Sequence, residues 1–396
     1  MKNIGLVIGA GPAGLMAAEQ LSSNGFEVLV AERKPSLGRK FLMAGKTGLN
    51  LTKNEQMDSF IENFYEASEW MAPILRAFGP NAVEGWAKDL NQDTFTGSSG
   101  RVFPISMKAS PLLRSWLKKL EHRGVRFEVN WNWVGWKGKK ACFETEKGLV
   151  KIHPKVTILS LGGGSWKKLG SNGLWLDIFK LENIEVTKLR PANARLKIFW
   201  SDKMKASYGK PLKNIVLSGG DLQTKGEAII SKRGLEGSAV YTISKPAREG
   251  HVIELDLLPN MDKKILLEKL VKRKKKLTLS QFFRRALKLN REKIALFYEF
   301  ADPLPSNNEG IATLLKRLQV NHSGLGSLDE AISTSGGVKK VSFNNSLMLY
   351  SKPGVFVAGE MLDWEAPTGG YLINGCLATG YWAGVKGAEW ARNENL

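Results

Sequence analysis

Ile4-Gly5-Leu6-Val7-Ile8-Gly9-Ala10-Gly11-Pro12-Ala13-Gly14 opens the chain's most informative segment, which closes at Glu32. Ile4 to Ile8 is apolar and β-prone. Leu15, Ala18 and Leu21 follow at helical spacing, and Asn24-Gly25 is a helix stop. Phe26 to Ala31 reads as a second strand ending at Glu32. The glycine pattern therefore stands where a strand turns into a helix within a βαβ unit. Gly9 permits the tight turn, Gly11 lets backbone approach a pyrophosphate, and Gly14 lets helix and strand pack closely. Free N–H groups at the helix start suit phosphates. An acid at the end of the second strand can accept hydrogen bonds from ribose hydroxyls and disfavours a 2′-phosphate, so the reading is FAD or NAD and not NADP.

The next residues discriminate between the two. Arg33-Lys34-Pro35-Ser36-Leu37-Gly38-Arg39-Lys40 runs into Phe41-Leu42-Met43-Ala44-Gly45-Lys46-Thr47-Gly48-Leu49-Asn50-Leu51-Thr52. A nicotinamide dehydrogenase would continue with another helix and strand. A basic, glycine-rich loop instead suits a pyrophosphate and a flavin ring. Near the other end, Val355-Phe356-Val357-Ala358 is a buried-type strand. Gly359-Glu360-Met361-Leu362-Asp363-Trp364-Glu365-Ala366-Pro367 follows, and then Thr368-Gly369-Gly370 before a helical run from Tyr371 to Trp382. Amides at that helix start can face a flavin, where the positive end of the dipole favours the anionic reduced ring.

These two ends resemble the HI0933-like (BaiN-type) family of NAD(P)/FAD-dependent oxidoreductases. The Met361 to Pro367 run resembles one subgroup of it, the PP_4765-type flavoproteins. Patches at Ser99-Gly100-Arg101-Val102-Phe103-Pro104, Gly226-Glu227-Ala228 and Ser335-Gly336-Gly337-Val338 extend the likeness over most of the chain. Val156 to Leu161, running into Gly162-Gly163-Gly164, resembles the family's crossing segment, with Ser-Leu-Gly for Ala-Thr-Gly. Gly45-Lys46-Thr47-Gly48-Leu49-Asn50 replaces the wider family's Gly-Gly-Gly-Arg-Cys-Asn, so no cysteine sits in that loop. The motifs and the resemblance imply non-covalent FAD held by Gly9, Gly11, Pro12, Ala13, Gly14, Glu32, Arg33, Arg39, Lys40, Gly45, Asn50 and Leu51. From later in the chain they imply Gly162, Gly163, Gly359, Glu360, Asp363, Gly369, Gly370, Tyr371 and Leu372, with Val134 at the adenine. Asp363 is the acid expected at the ribityl chain or its phosphate.

The expected fold class is α/β: a discontinuous Rossmann-like FAD-binding domain with an inserted β-barrel or sheet and a helical subdomain. In the first domain, a helix carrying Leu112, Leu113, Trp116, Leu117 and Leu120 ends at Gly124, with strands at Val125 to Val129 and Trp131 to Trp136. The FAD domain takes residues 1–190 and 335–396, and the insert residues 191–334. Within the insert, 191–260 and part of 310–334 alternate apolar and polar as strands do, while 261–318 is helical in pattern. Ser333 to Lys352 reads as strands returning to the first domain.

Length and composition narrow the function. At about 150 residues per domain, 396 residues suggest two or three domains. Two distant cysteines and four histidines disfavour a disulfide scaffold, a Cys-x-x-Cys pair and a metal centre. A cytoplasmic setting is expected, since there is no secretory leader pattern and no apolar run near the ~20 residues of a membrane helix. The net charge is +20, and 13 Lys/Arg against two acids fall between Lys263 and Lys293. A solvated helical face or a nucleic-acid contact would use that segment, the latter with Phe282-Phe283 for base stacking. Arg101, Tyr371 and Lys46 are the candidate substrate or catalytic groups, with Tyr241 and His251 behind them. His322 reads as an ordinary loop residue. No second Gly-x-Gly-x-x-Gly occurs in 150–330, so NAD(P)H would bind only transiently. The readings carried forward are an FAD-dependent oxidoreductase of a small molecule, a flavin amine oxidase using O2, an RNA- or tRNA-directed flavoprotein, and a flavin binder without turnover. Oligomeric state is not encoded in any motif.

Overall fold

The computed structural model describes residues 4–394. The chain divides into two compact units, Met1–Arg190 with Ser333–Leu396, and Pro191–Ile332.

The first unit is built on a five-stranded sheet. Its order is Val355–Val357, Val156–Leu159, Ile4–Ile8, Glu27–Glu32, Arg126–Val129, and every neighbouring pair is parallel. The strands at Val156–Leu159 and Val355–Val357 are buried at every position. Continuous apolar runs of this kind mark strands covered on both faces, where no polar alternation is tolerated. The first and last segments meet again as helices. Pro12–Ser23 packs along Tyr371–Asn393 with backbone nearly touching backbone. A Cβ added at Gly380 would lie 2.2 Å from the Ala13 carbonyl oxygen, and one at Gly384 2.8 Å from that of Ala17. The C-terminal helix thus runs to Asn393, well past the expected Trp382. The strand pair Val186–Ala192 with Ser333–Val338 and two small antiparallel sheets complete the unit. One pairs Thr52–Lys53 and Thr94–Thr96 on either side of Arg101–Pro104, and the other is the meander Asn132–Lys137, Lys140–Thr145, Gly148–Ile152.

The second unit holds a six-stranded antiparallel sheet around the long hairpin Lys210–Gly219 and Leu222–Ser231. Leu212, Ile215, Leu217, Ala228 and Ile230 are buried along it, the alternation that a half-covered antiparallel sheet requires. Four helices, Lys263–Val271, Leu279–Arg285, Arg291–Phe300 and Asn308–Lys316, supply the rest of its core. Their starts are chemically set. Asp262, Asn290 and Asn307 each accept an amide of the first turn, and Thr278 with Gln281 forms a reciprocal capping box.

Four expectations change here. Ser333 to Lys352 is one strand, Ser333–Val338, followed by a short 3-10 turn at Lys340–Ser342 and loops. The helices Ser238–Thr242 and Ser244–Arg248 interrupt the expected strands. Phe282 and Phe283 are core residues, 4% and 0% exposed, so neither ring is offered to a base. Lys293 also leaves the basic face: its ammonium is buried and donates to the carbonyls of Asn214 and Leu257, both at 2.7 Å. Lys272, Lys274, Lys275 and Lys276 are exposed.

Candidate functional site

A cleft of about 410 Å³ lies at the carboxyl ends of the central strands of the first unit. This is where open α/β sheets place their ligands. Gly9, Ala10 and Gly11 form its floor, with Glu32 and Arg33 at the end of the second strand. Arg39, Lys40, Val134 and Gly162 line it further. Sequence reasoning did not find the wall formed by Trp131, Trp133, Ser171 and Trp175. The unusual density of tryptophan in 131–136 was the available signal.

The glycine loop is shaped by contact on one side and by space on the other. Gly9 has φ +102, and a Cβ there would lie 2.3 Å from the Ser160 carbonyl oxygen. One on Gly14 would lie 1.9 Å from the Gly9 oxygen. One on Gly11 would meet nothing within 4 Å, so its backbone borders open space. Pro12 occupies the first helical turn, where its missing N–H costs nothing. Ala13 packs on the other helix. Glu32 accepts the amides of Ala10 and Lys34, each at 2.9 Å, one per carboxylate oxygen. It therefore braces the loop as well as facing the cleft. Arg33 reaches the Gly170 carbonyl at 2.7 Å.

The far motif converges on the same place through Glu360. Its carboxylate takes Lys40 Nζ at 2.6 Å and the amides of Gly163 at 3.2 Å and Thr334 at 3.0 Å. Three segments distant in sequence are thereby tied together. Gly359 turns at φ +79 against Ala13. Asp363 does not join this group. Burial pushes its carboxyl up, and it accepts the Thr187 hydroxyl. Of Glu360 and Asp363, it is Glu360 that reaches a cleft-lining residue, Lys40. Cys376 lies nearby, and burial with the Glu360 charge pushes its thiol up to about 12, so it stays protonated.

Gly370 has φ +113, and a Cβ there would overlap the Thr52 backbone at 2.3 Å. The turn before the C-terminal helix is thus seated on the loop that follows Asn50. Asn50 donates to the carbonyls of Thr52 and Val102, while Leu51 is fully buried with its amide on Val102. The Leu51 side chain belongs to the core, so any part it has at a ligand is through its backbone carbonyl. Gly45 packs on Ala109, Leu372 is half-buried, and Lys46 is exposed. Tyr371 is buried, donates to Glu55 at 2.6 Å and accepts Lys53 at 2.9 Å. Desolvation and the Glu55 carboxylate hold its hydroxyl well above the usual tyrosine range, which removes it as a base. Arg101 is half-buried, with its guanidinium beside Gly369: Nε lies 3.5 Å from where a Cβ would stand. Its charge is felt by the Tyr371 hydroxyl.

The remaining candidates lie in the second unit. The Tyr241 hydroxyl is raised by burial and by Glu236, while His322 accepts the Gly324 amide and is lowered by burial. His251 is exposed beside Gly220. Among the described residues no group of His, Cys, Asp and Glu is arranged to hold a metal ion, and no helix is long and apolar enough to cross a membrane.

The cleft carries buried polar atoms that no protein group satisfies: Arg39 Nε, Trp133 Nε1 and Ser171 Oγ, with Asn50 Oδ1 in the adjoining loop. Buried donors and acceptors are seldom left unpaired. Together with the open Gly11 floor, they fit a long polar ligand such as a dinucleotide. The sequence matches the HI0933-like protein Rossmann domain over residues 4–386.

The chain belongs to the HI0933-like family.

It is accordingly an FAD-dependent oxidoreductase. It is 26% identical to the 3-dehydro-bile acid delta(4,6)-reductase of Clostridium scindens, over 98% of this chain and 100% of that protein. It is 24% identical to the ribosomal RNA dihydrouridine synthase of Haemophilus influenzae, over 95% of this chain and 96% of that protein. A flavocytochrome c3 fumarate reductase shares the fold at a TM-score of 0.53 and 17% identity, covering 98% of this chain and 78% of its own. The 3-ketosteroid-delta4-(5alpha)-dehydrogenase of Rhodococcus jostii does so at 0.50 and 14%, covering 98% and 96%.

Proposed function

We propose that this oxidoreductase acts on a carbon–carbon bond next to a carbonyl, reducing the conjugated double bond or forming it in reverse. The observation that carries this reading is Arg101. It is a half-buried guanidinium with no acidic partner among the described residues, set beside the Gly369–Gly370 turn. A carbonyl or carboxylate oxygen is the natural acceptor for such a fork. Hydrogen bonding to that oxygen draws electron density from the conjugated carbon, which then accepts hydride more readily. The nearby hydroxyl and thiol fit this chemistry by default. Tyr371 and Cys376 are both held protonated, so neither serves as a nucleophile. The relatives' names share the bond type, since a delta(4,6)-reductase and a dihydrouridine synthase each saturate a double bond conjugated to a carbonyl.

FAD would be held by the amides of the Gly9–Gly14 loop, by Glu32 at the adenosine ribose and by Glu360 near the ribityl chain. Asn50, Arg39, Trp133 and Ser171 offer their unpaired atoms. When bound and reduced by an electron donor, FAD would supply the hydride. The protein orients the substrate oxygen through Arg101, and a proton from solvent completes the second C–H bond. The test is anaerobic: the FAD-loaded protein, reduced with dithionite, is mixed with enones and enoates while flavin reoxidation and loss of the double bond are followed. Reoxidation coupled to double-bond loss supports the reading; a flavin that stays reduced with every enone and enoate, and is reoxidised only when O2 is then admitted, overturns it.

A second reading, an RNA substrate, has one supporting observation, the exposed Lys272 and Lys274 to Lys276. A salt-dependent mobility shift with ribosomal RNA fragments tests it. The buried Phe282-Phe283 pair counts against stacking there.

A further inference from the structure

The small sheet that carries Arg101 has an outer surface that nothing in the FAD reading uses. Residues alternate along a strand, so Arg101 and Phe103 stand on one face while Val102 and Pro104 are buried on the other. Phe95 is the cross-strand partner of Phe103, and the rings stack at 5.8 Å and 27°. Met107 closes the far side: its Cε and the Phe103 ring flank the space above Gly48, at 2.8 and 3.7 Å from where a Cβ would stand. Phe95 is 43% exposed and Met107 37% exposed, the latter held at φ +57. Exposed apolar side chains that touch one another, unlike scattered ones, mark binding surfaces. One face thus presents two aromatic rings and a thioether, with an unpaired guanidinium at the end nearest Gly369.

We infer that this face is the substrate platform, and that the substrate has a rigid apolar body of about two fused rings or more with a carbonyl or carboxylate at one end. The inference rests on the reading of Arg101 given above. Two strand residues at about 3.4 Å each separate the Arg101 and Phe103 backbones by roughly 7 Å. A bicyclic body spans that distance, and a four-carbon acid does not. The charge is complementary: a head group bearing negative charge meets Arg101, whose cross-strand neighbour Lys53 on the same face is already held by Glu55 at 2.7 Å and by the Tyr371 hydroxyl. The rings accept a flat body, and the flexible Met107 side chain adapts to its edge.

The probes are naphthalene-2-acrylate, which has body and head, crotonate, which has the head alone, and 2-ethylnaphthalene, which has the body alone. Binding to the oxidised, FAD-loaded protein is read from the flavin difference spectrum, without turnover. Naphthalene-2-acrylate is expected to bind at least about tenfold more tightly than either of the others, since it satisfies both contacts. Arg101→Met should weaken it by about tenfold or more while leaving 2-ethylnaphthalene within about twofold. Phe95→Ser, at a half-exposed position that the fold tolerates, should weaken the two naphthalenes and spare crotonate. Retention of the flavin spectrum reports intact folding for each variant. If crotonate binds as tightly as naphthalene-2-acrylate, if nothing binds, or if both variants bind it like the unaltered protein, the platform assignment is overturned. If the binding pattern holds but the reduced protein leaves the acrylate double bond intact, the platform stands and the double-bond chemistry proposed above fails.

Discussion

Glu32 braces the fold, and in the reading proposed above the same side chain also meets the ligand. Each of its oxygens already accepts a backbone amide, from Ala10 and from Lys34, and a carboxylate has lone pairs left for a ribose. Glu32→Ala is expected to weaken FAD by about 1.5–3 kcal/mol, the range for a charge-assisted hydrogen bond. It should also lower the melting temperature of the FAD-free protein, because two amides lose their acceptor. Fluorescence titration with FAD and FMN separates the effects: FMN lacks the adenosine ribose and should lose much less. Lys293 is a second case. Burial holds its ammonium down to about 8 from 10.5. Between those values the folded chain has released a proton that the unfolded chain keeps, so raising the pH favours the fold. Below about pH 8 both states keep the proton and the cost of the buried charge is fully present. Relative to Lys293→Met, the unaltered protein should therefore gain melting temperature as pH rises from about 8 to about 10. A difference that stays flat over that range would contradict the assignment.

The two helices that cross at Gly380 and Gly384 carry the strongest element-scale consequence. The atoms a methyl group at Gly380 would meet are backbone atoms of Ala13, which no rotamer change can move. Gly380→Ala should push the helices apart and cost about 1–3 kcal/mol, typical of overpacking. The displaced helix bears the glycine loop, so FAD affinity should fall with stability. Calorimetry with and without FAD checks both; an unchanged melting temperature would show that the contact is softer than its geometry. Much of this unit was legible because its strands are buried on both faces and its turns need specific glycines. The first βαβ segment, the strand at Val355 and the helix start at Tyr371 all announce themselves that way. The helices Ser238–Thr242 and Ser244–Arg248 did not, being five residues each, flanked by glycine and interrupted by Pro246. At the site, Gly359-Glu360 and Asp363 offered two acids three residues apart, and spacing alone could not rank them. The choice depends on Lys40 and Thr334 reaching Glu360, and on Thr187 reaching Asp363. Those contacts join segments that only the folded sheet brings together.

At the scale of the molecule, charge and chemistry fall in different units. The basic run Lys272 to Lys276 belongs to the Pro191–Ile332 unit, while every cleft residue named above comes from the other. Replacing Lys272, Arg273, Lys274, Lys275 and Lys276 with glutamine should leave the flavin spectrum and small-molecule turnover within about twofold, as surface substitutions usually do. A collapse of turnover in a folded variant would show that the run reaches the active site. Nicotinamide nucleotides are expected to reduce the flavin weakly, because the Gly-x-Gly-x-x-Gly turn at the start of Pro12–Ser23 is the one proposed above for FAD. Saturation at low micromolar NADH in anaerobic stopped-flow would overturn that. The helix pairing also dictates an order of events during synthesis. Residues 4–32 emerge from the ribosome well before Tyr371–Asn393, yet their helix is completed by contact with that segment. The intervening unit has its own sheet and core between Pro191 and Ile332, so it can mature while the nascent nucleotide fold is still waiting for its closing helix. Cofactor capture is then a late event, and ribosome-bound chains stalled before Tyr371 should hold no FAD.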